Sequence, residues 1–164
     1  MKVWGVVGWK NAGKTGLMER LVAEFTGRGH SVSTIKHAHH SFDVDQPGKD
    51  SYRHRAAGAR EVLLSSGARW ALMHELRGAK EATLDALLAR LSPVDLVLIE
   101  GFKSEPHPKV EAFRESAQNP HLAPDDPTIR AICADCDVPD FGRPVFDLND
   151  TTAIADFIAN ELGL

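Results

Sequence analysis

Cysteine is scarce in this chain: Cys133 and Cys136 are the two present in 164 residues. That is too few for a disulfide framework, so stability has to come from a packed core. Positive charge is also in deficit. Nineteen Lys and Arg against 23 Asp and Glu leave a formal charge of −4, which argues against nucleic acid or an anionic membrane as a partner held by bulk electrostatics. No apolar stretch approaches a membrane span, and the N-terminus runs into a strand pattern without the layout of a signal peptide. A cytoplasmic protein is expected. Repeats and low-complexity segments are missing too. With 43% hydrophobic and 26% charged residues, the composition is that of one globular domain spanning 1–164.

One stretch organises the rest. Gly8-Trp9-Lys10-Asn11-Ala12-Gly13-Lys14-Thr15 fits G-x-x-x-x-G-K-[ST], the phosphate-binding loop. The apolar run Val3 to Val7 enters it, and Leu17, Met18, Leu21, Val22 and Phe25 leave it at helical spacing. Strand, glycine loop and helix are the context this motif needs. Backbone N–H groups along Gly8, Asn11, Ala12, Gly13, Lys14, Thr15 and Gly16 are expected to wrap a polyphosphate, helped by the partial positive charge of the helix N-terminus. Lys14 would reach the β- and γ-phosphates and Thr15 would offer its hydroxyl to Mg²⁺.

Further along, a helix is expected over 14–27, strands over 31–36, 61–65, 69–74, 96–99, 109–114, 129–134 and 145–146, and a final helix capped by Asp150 or Thr151. Leu84, Leu87, Leu88 and Leu91 mark another helix, stopped by Ser92-Pro93. A short helix should follow the polar loop 37–50. Alternating strands and helices imply an α/β fold of three layers with a mostly parallel sheet. The pair turning at Ser66-Gly67 suggests that the sheet is mixed.

In such sheets ligands bind beyond the carboxyl ends of the strands. Glu100, closing the apolar run 96–99, is the first candidate for a catalytic acid and for holding Mg²⁺ or its water. Its bland alternative is a strand-end acid facing solvent. His37, His39, His40, Asp43 and Asp45 form the densest set of potential ligands, with Asp43 a candidate metal ligand. A loop sensing nucleotide and a solvated loop both remain open there. Cys133 reads as a small core residue. Asp135 and Asp137 lie just beyond a strand, where a carboxylate can accept two hydrogen bonds from a guanine edge. The Asn-Lys-x-Asp pattern of many GTPases is absent.

Together these stretches resemble the MobB family of molybdopterin-guanine dinucleotide biosynthesis adaptor proteins. The phosphate loop, the block from Ile35 through Ser51, and Leu98-Ile99-Glu100-Gly101-Phe102-Lys103 carry the resemblance. It implies a P-loop NTPase-like fold and a dimeric GTP-binding protein with weak GTPase activity. Such a protein assists attachment of a guanine nucleotide to molybdopterin alongside the nucleotidyltransferase MobA and molybdopterin-delivering proteins. By position, Gly13, Lys14 and Thr15 would hold phosphate and Mg²⁺, with Glu100 near the metal. Gly16 departs from the second Ser or Thr often found after this motif. Two other readings compete: a small-molecule kinase using Arg53, Arg55 and Arg60, and a metal-delivery protein built on His37, His39 and His40.

Overall fold

The computed structural model describes residues 1–38 and 42–164, in two compact units. The larger unit comprises Met1–His37 and Leu84–Leu164. It contains β1 (Lys2–Val7), α1 (Lys14–Gly27), β2 (Val32–Lys36), α3 (Leu84–Leu88), β5 (Leu96–Glu100), β6 (Lys109–Phe113), β7 (Ile129–Ala134), β8 (Val145–Asp147) and α4 (Thr151–Leu162). The smaller unit, Ala38–Thr83, contains α2 (Asp50–Ala56), β3 (Glu61–Ser65) and β4 (Trp70–His74).

Six strands form one sheet in the order β2-β5-β1-β6-β7-β8, and every pairing in it is parallel. The expected three-layer, mostly parallel α/β fold is what forms. One detail differs: β3 and β4 pair only with each other, as a separate two-stranded antiparallel sheet. The reason lies in burial. A central parallel strand is covered on both faces, as β5 is along its whole length, whereas Val62 is the one buried residue of β3. Ser66 closes the hairpin turn, its N–H donating to Arg69 O at 2.9 Å.

The sheet's two faces are packed differently. On one, Trp4, Val6, Leu96, Leu98, Val110 and Cys133 meet Leu17, Leu21 and Phe25 of α1 and Ile154 and Ile158 of α4. Trp4 makes an edge contact with Phe157, ring centroids 6.1 Å apart. Arg20 ties the two helices, donating from Nε to Thr151 Oγ1 (2.9 Å) and from Nη2 to Leu148 O (2.7 Å). On the other face, Leu84 of α3 covers Val97 and Ile99, and Ala123 covers Val7, Ile129 and Ile132. The helix at Leu84 is shorter than its leucine spacing predicts. Beyond Leu88 the chain tightens, with Arg90 N donating to Leu87 O at 3.1 Å and Leu91 N to Leu88 O at 3.2 Å.

The helix ends follow local chemistry. Past α1, Gly29 N donates to Thr26 O (3.0 Å) and His30 N to Phe25 O (3.1 Å), closing the last turn in the manner of a Schellman motif. At the start of α4, Asp150 accepts from Ala153 N at 3.0 Å, an N-cap of the usual kind. Two buried charges that the sequence did not single out stitch the irregular segments to the sheet. Glu111, fully buried on β6, accepts from Leu122 N (2.8 Å) and Ala123 N (2.9 Å). Lys109, also fully buried, donates from Nζ to Lys103 O (3.0 Å) and Glu105 O (2.5 Å), with Asp126 Oδ2 at 3.5 Å. Satisfied this way, each charge fixes a loop that would otherwise have no regular hydrogen bonding.

Candidate functional site

The carboxyl end of β1 runs into the glycine loop 8–15, the stretch that fits the phosphate-loop motif. Two of its glycines are required by sterics. A Cβ on Gly8, whose φ is 150°, would stand 2.4 Å from Ala112 O on the neighbouring strand. At Gly13, with φ 91°, it would meet Arg114 Nε and Leu148 Cδ2, each at 3.0 Å. Gly13 is also the N-cap residue of α1, and no side chain caps that helix. Its first N–H groups are therefore left for an external acceptor, which is the arrangement an anion needs. Asn11, at φ 67°, Gly13, Lys14, Thr15, Gly16 and Arg114 line a cavity of about 470 Å³.

Parallel pairing brings the end of β5 beside the loop, since Val6 is in register with Glu100. Thr15 Oγ1 donates to Glu100 Oε1 at 3.2 Å. From the other side, Lys36 at the end of β2 approaches the same oxygen at 3.2 Å. Lys14 Nζ donates to Trp9 O at 2.6 Å. Its ammonium is held below the usual lysine range, first by burial; Glu100 opposes that shift, while Lys103 and Lys36 add to it. Lys103 lies over the Trp9 ring, Nζ 4.0 Å from the centroid, and Trp9 Nε1 donates to Pro120 O at 2.8 Å. Three ammonium groups and one carboxylate thus converge at the carboxyl ends of β1, β2 and β5. The Thr15 hydroxyl and the Glu100 carboxylate form an oxygen pair of the kind Mg²⁺ takes.

A second cavity, about 720 Å³, lies at the carboxyl ends of β7 and β8. Glu115, Asp135, Cys136, Asp137, Asp147 and Asn149 contribute to its lining. Asp135 Oδ1 accepts from Glu115 N at 2.9 Å. Asp137 is exposed and makes no hydrogen bond with the described residues. Cys133 is a core residue, its thiol pushed up to about 12 by burial. The Cys136 thiol is raised as well, first by burial and then by Glu115, Asp135 and Asp137. Neither cysteine has the depressed thiol of a reactive one.

Asp43 belongs to the smaller unit and is engaged there by protein groups. Its Oδ2 accepts from Arg55 Nη2 at 2.7 Å and its Oδ1 from Asp45 N at 2.9 Å. The Asp43 carboxyl is held below its usual range, chiefly by the Arg55 bond. Asp45 accepts from Gln46 N (3.0 Å) and Ser51 Oγ (2.8 Å). The acids of this block therefore shape the turn that starts α2. Arg55, one of the arginines of the kinase reading, is committed to Asp43 and to Glu75 at 3.3 Å. His37 stacks on Phe102 with ring centroids 4.4 Å apart. His39 and His40 lie outside the described residues, and among the described residues no group of three His, Cys, Asp or Glu is placed to hold a metal.

Arg114 escaped the sequence reading. The residue ending the strand beside β1 lies at the loop's rim, but nothing in the sequence says that β6 is that neighbour.

A glycine loop at the end of the central strand, an uncapped helix behind it and an acid on the adjacent strand define a P-loop NTPase-like α/β protein. The sequence profile described as Molybdopterin guanine dinucleotide synthesis protein B matches residues 3–135, and the chain belongs to this family, MobB. It is 40% identical over 160 residues to the Haemophilus influenzae molybdopterin-guanine dinucleotide biosynthesis adapter protein, covering 96% of this chain and 88% of that one. The Escherichia coli protein described in the same words is 39% identical over 153 residues, covering 92% and 87%. Among solved structures, the MobB protein homolog from Bacillus stearothermophilus aligns over 99% of both chains with a TM-score of 0.72 and 32% identity.

Proposed function

We propose that this protein is a GTP-binding adapter with weak GTPase activity in molybdopterin guanine dinucleotide synthesis. The observation carrying the reading is the placement of Lys14, Thr15 and Glu100 around one loop, with Thr15 Oγ1 and Glu100 Oε1 3.2 Å apart. In this reading the loop amides and Lys14 bind the β- and γ-phosphates, and Lys14 exchanges its bond to Trp9 O for one to phosphate. Thr15 and Glu100 would hold Mg²⁺, directly or through water, and the ion would supply charge neutralisation at the phosphates. Glu100 also keeps Lys36 at the site. The acidic cavity would take the base, with Asp137, and Asp135 behind it, accepting the paired N–H groups of guanine. A purine without those donors would leave the carboxylate unpaired.

Partners are part of the proposal. The family resemblance implies a homodimer acting with MobA and with proteins that deliver molybdopterin. Leu63 and Trp70 of the hairpin are 61% and 63% exposed, and Leu63 stands opposite the exposed Leu72. This apolar face is the surface we assign to self-association. The test of the nucleotide reading is affinity for GTP and ATP with and without Mg²⁺, with Lys14→Ala as the control. GTP is expected to bind more tightly than ATP, by roughly tenfold or more for one bidentate base contact, and Lys14→Ala to lose tight binding while remaining folded. Equal affinities would remove the guanine assignment, and an unaffected Lys14→Ala would remove the phosphate-loop assignment.

A further inference from the structure

We infer that Arg114 is a nucleotide ligand, a guanidinium supplied by the chain itself to the phosphates nearest the sugar. The inference rests on the GTP-binding reading and names a contact that the phosphate-loop motif does not contain. Three observations meet at this residue. First, Arg114 lines the phosphate-loop cavity together with Asn11, Gly13 and Gly16. Second, its guanidinium is packed onto the loop: Nε and Cζ lie 3.0 and 3.4 Å from where a Cβ on Gly13 would stand. Third, the side chain makes no hydrogen bond or ion pair with the described residues, and unlike those of Arg60 and Arg69, which are also unbonded, it lies on the phosphate-loop cavity. Five donors in a planar fork are thus left free over a loop in which Ala12 N–H bonds Trp9 O while the N–H groups of Lys14, Thr15 and Gly16 make no hydrogen bond with the described residues.

Topology says which phosphates it faces. Glu100 and Lys36 approach Lys14 from the β5 and β2 side. Arg114 comes from β6, on the opposite side of β1. The next residue, Glu115, lines the acidic cavity where the base is expected. A polyphosphate running from Lys14 toward that cavity presents its sugar-proximal phosphates to Arg114, and its terminal phosphate to the lysine side. The contact is therefore made equally by a nucleoside diphosphate and a triphosphate.

The experiment is a titration of the full chain with fluorescent GDP and GTP in Mg²⁺, for wild type, Arg114→Ala and Arg114→Lys. The side chain is exposed and unbonded, so thermal melting of both variants should match wild type and serves as the fold control. Arg114→Ala is expected to weaken GDP and GTP by the same factor, roughly 10- to 100-fold for a charge-assisted contact. Arg114→Lys should recover part of that loss, because it keeps the charge but not the fork. Wild-type affinity in Arg114→Ala would overturn the inference and leave the nucleotide reading standing. A loss confined to GTP would also overturn it, moving the guanidinium to the terminal phosphate. A wild-type protein that binds neither nucleotide would overturn both.

Discussion

Glu100 stands where three strands end, and its carboxylate already engages Thr15 and Lys36. Glu100→Gln keeps the size and one acceptor of this side chain but removes its charge. Phosphate release followed across a Mg²⁺ titration should therefore drop roughly tenfold or more, with a much smaller change in GTP affinity. Hydrolysis at the wild-type rate would return Glu100 to a strand-end acid. His107 is one residue that couples the fold to pH. Its Nδ1 and Nε2 are buried with no hydrogen-bond partner among the described residues, and Nε2 lies 2.5 Å from where a Cβ on Gly5 would be. Burial first, and then Lys109, depress its pKa from 6.5 to about 4. The unfolded chain therefore binds a proton below about 6.5 that the folded chain refuses until about 4, so stability falls as pH drops through that window. His107→Phe removes the titration, and its melting temperature should decline less than that of wild type between those values. Parallel melting curves for the two proteins would contradict the assignment.

At the scale of elements, the segment between β5 and β6 has no secondary structure, and the buried Lys109 ammonium holds it. Its bonds to Lys103 O and Glu105 O fix the turn that presents Lys103 to Trp9. Lys109→Met fills similar volume but leaves two carbonyls and Asp126 without their donor. The expected cost is about 1–3 kcal/mol, read as a lower denaturant midpoint at an unchanged m-value. A midpoint equal to or above wild type would show that desolvating the ammonium costs as much as its bonds return. The uncapped start of α1 is the complementary case. That end lacks a side-chain cap, whereas α4 has Asp150. The helix at the site forgoes a local gain that the structural helix takes, and a bound anion would restore it.

For the whole molecule, the exposed hairpin is the feature that a monomer leaves unexplained. Leu63, Trp70 and Leu72 form a contiguous apolar face on a two-stranded sheet that has no third strand among the described residues. Isolated hairpins of this size are marginal in water. Light scattering of the purified protein is expected to report a dimer, and Leu63→Lys combined with Trp70→Lys to shift it to monomer with the nucleotide site intact. A wild-type monomer at micromolar concentration would remove the self-association proposal, and a variant that remains dimeric would place its surface elsewhere.

Local rules carried much of the fold. The 3.6-residue spacing of Leu17, Leu21 and Phe25 marked α1, and the stop offered by Gly27 and Gly29 set its end at the observed Gly27, while the unbroken apolar run 96–99 marked a strand buried on both faces. The strand–glycine loop–helix turn was legible because it needs consecutive residues, with glycine where a Cβ would strike the neighbouring strand. What escaped the sequence depends on which strands become neighbours. The hairpin's separation from the main sheet, the burial of Lys109 and Glu111, and the arrival of Arg114 over Gly13 each involve groups far apart in the chain. Periodicity reports which face of an element is apolar, not what lies against it. The strand order β5-β1-β6 sets Glu100 on one side of the loop and Arg114 on the other, and it arises only when the whole sheet assembles.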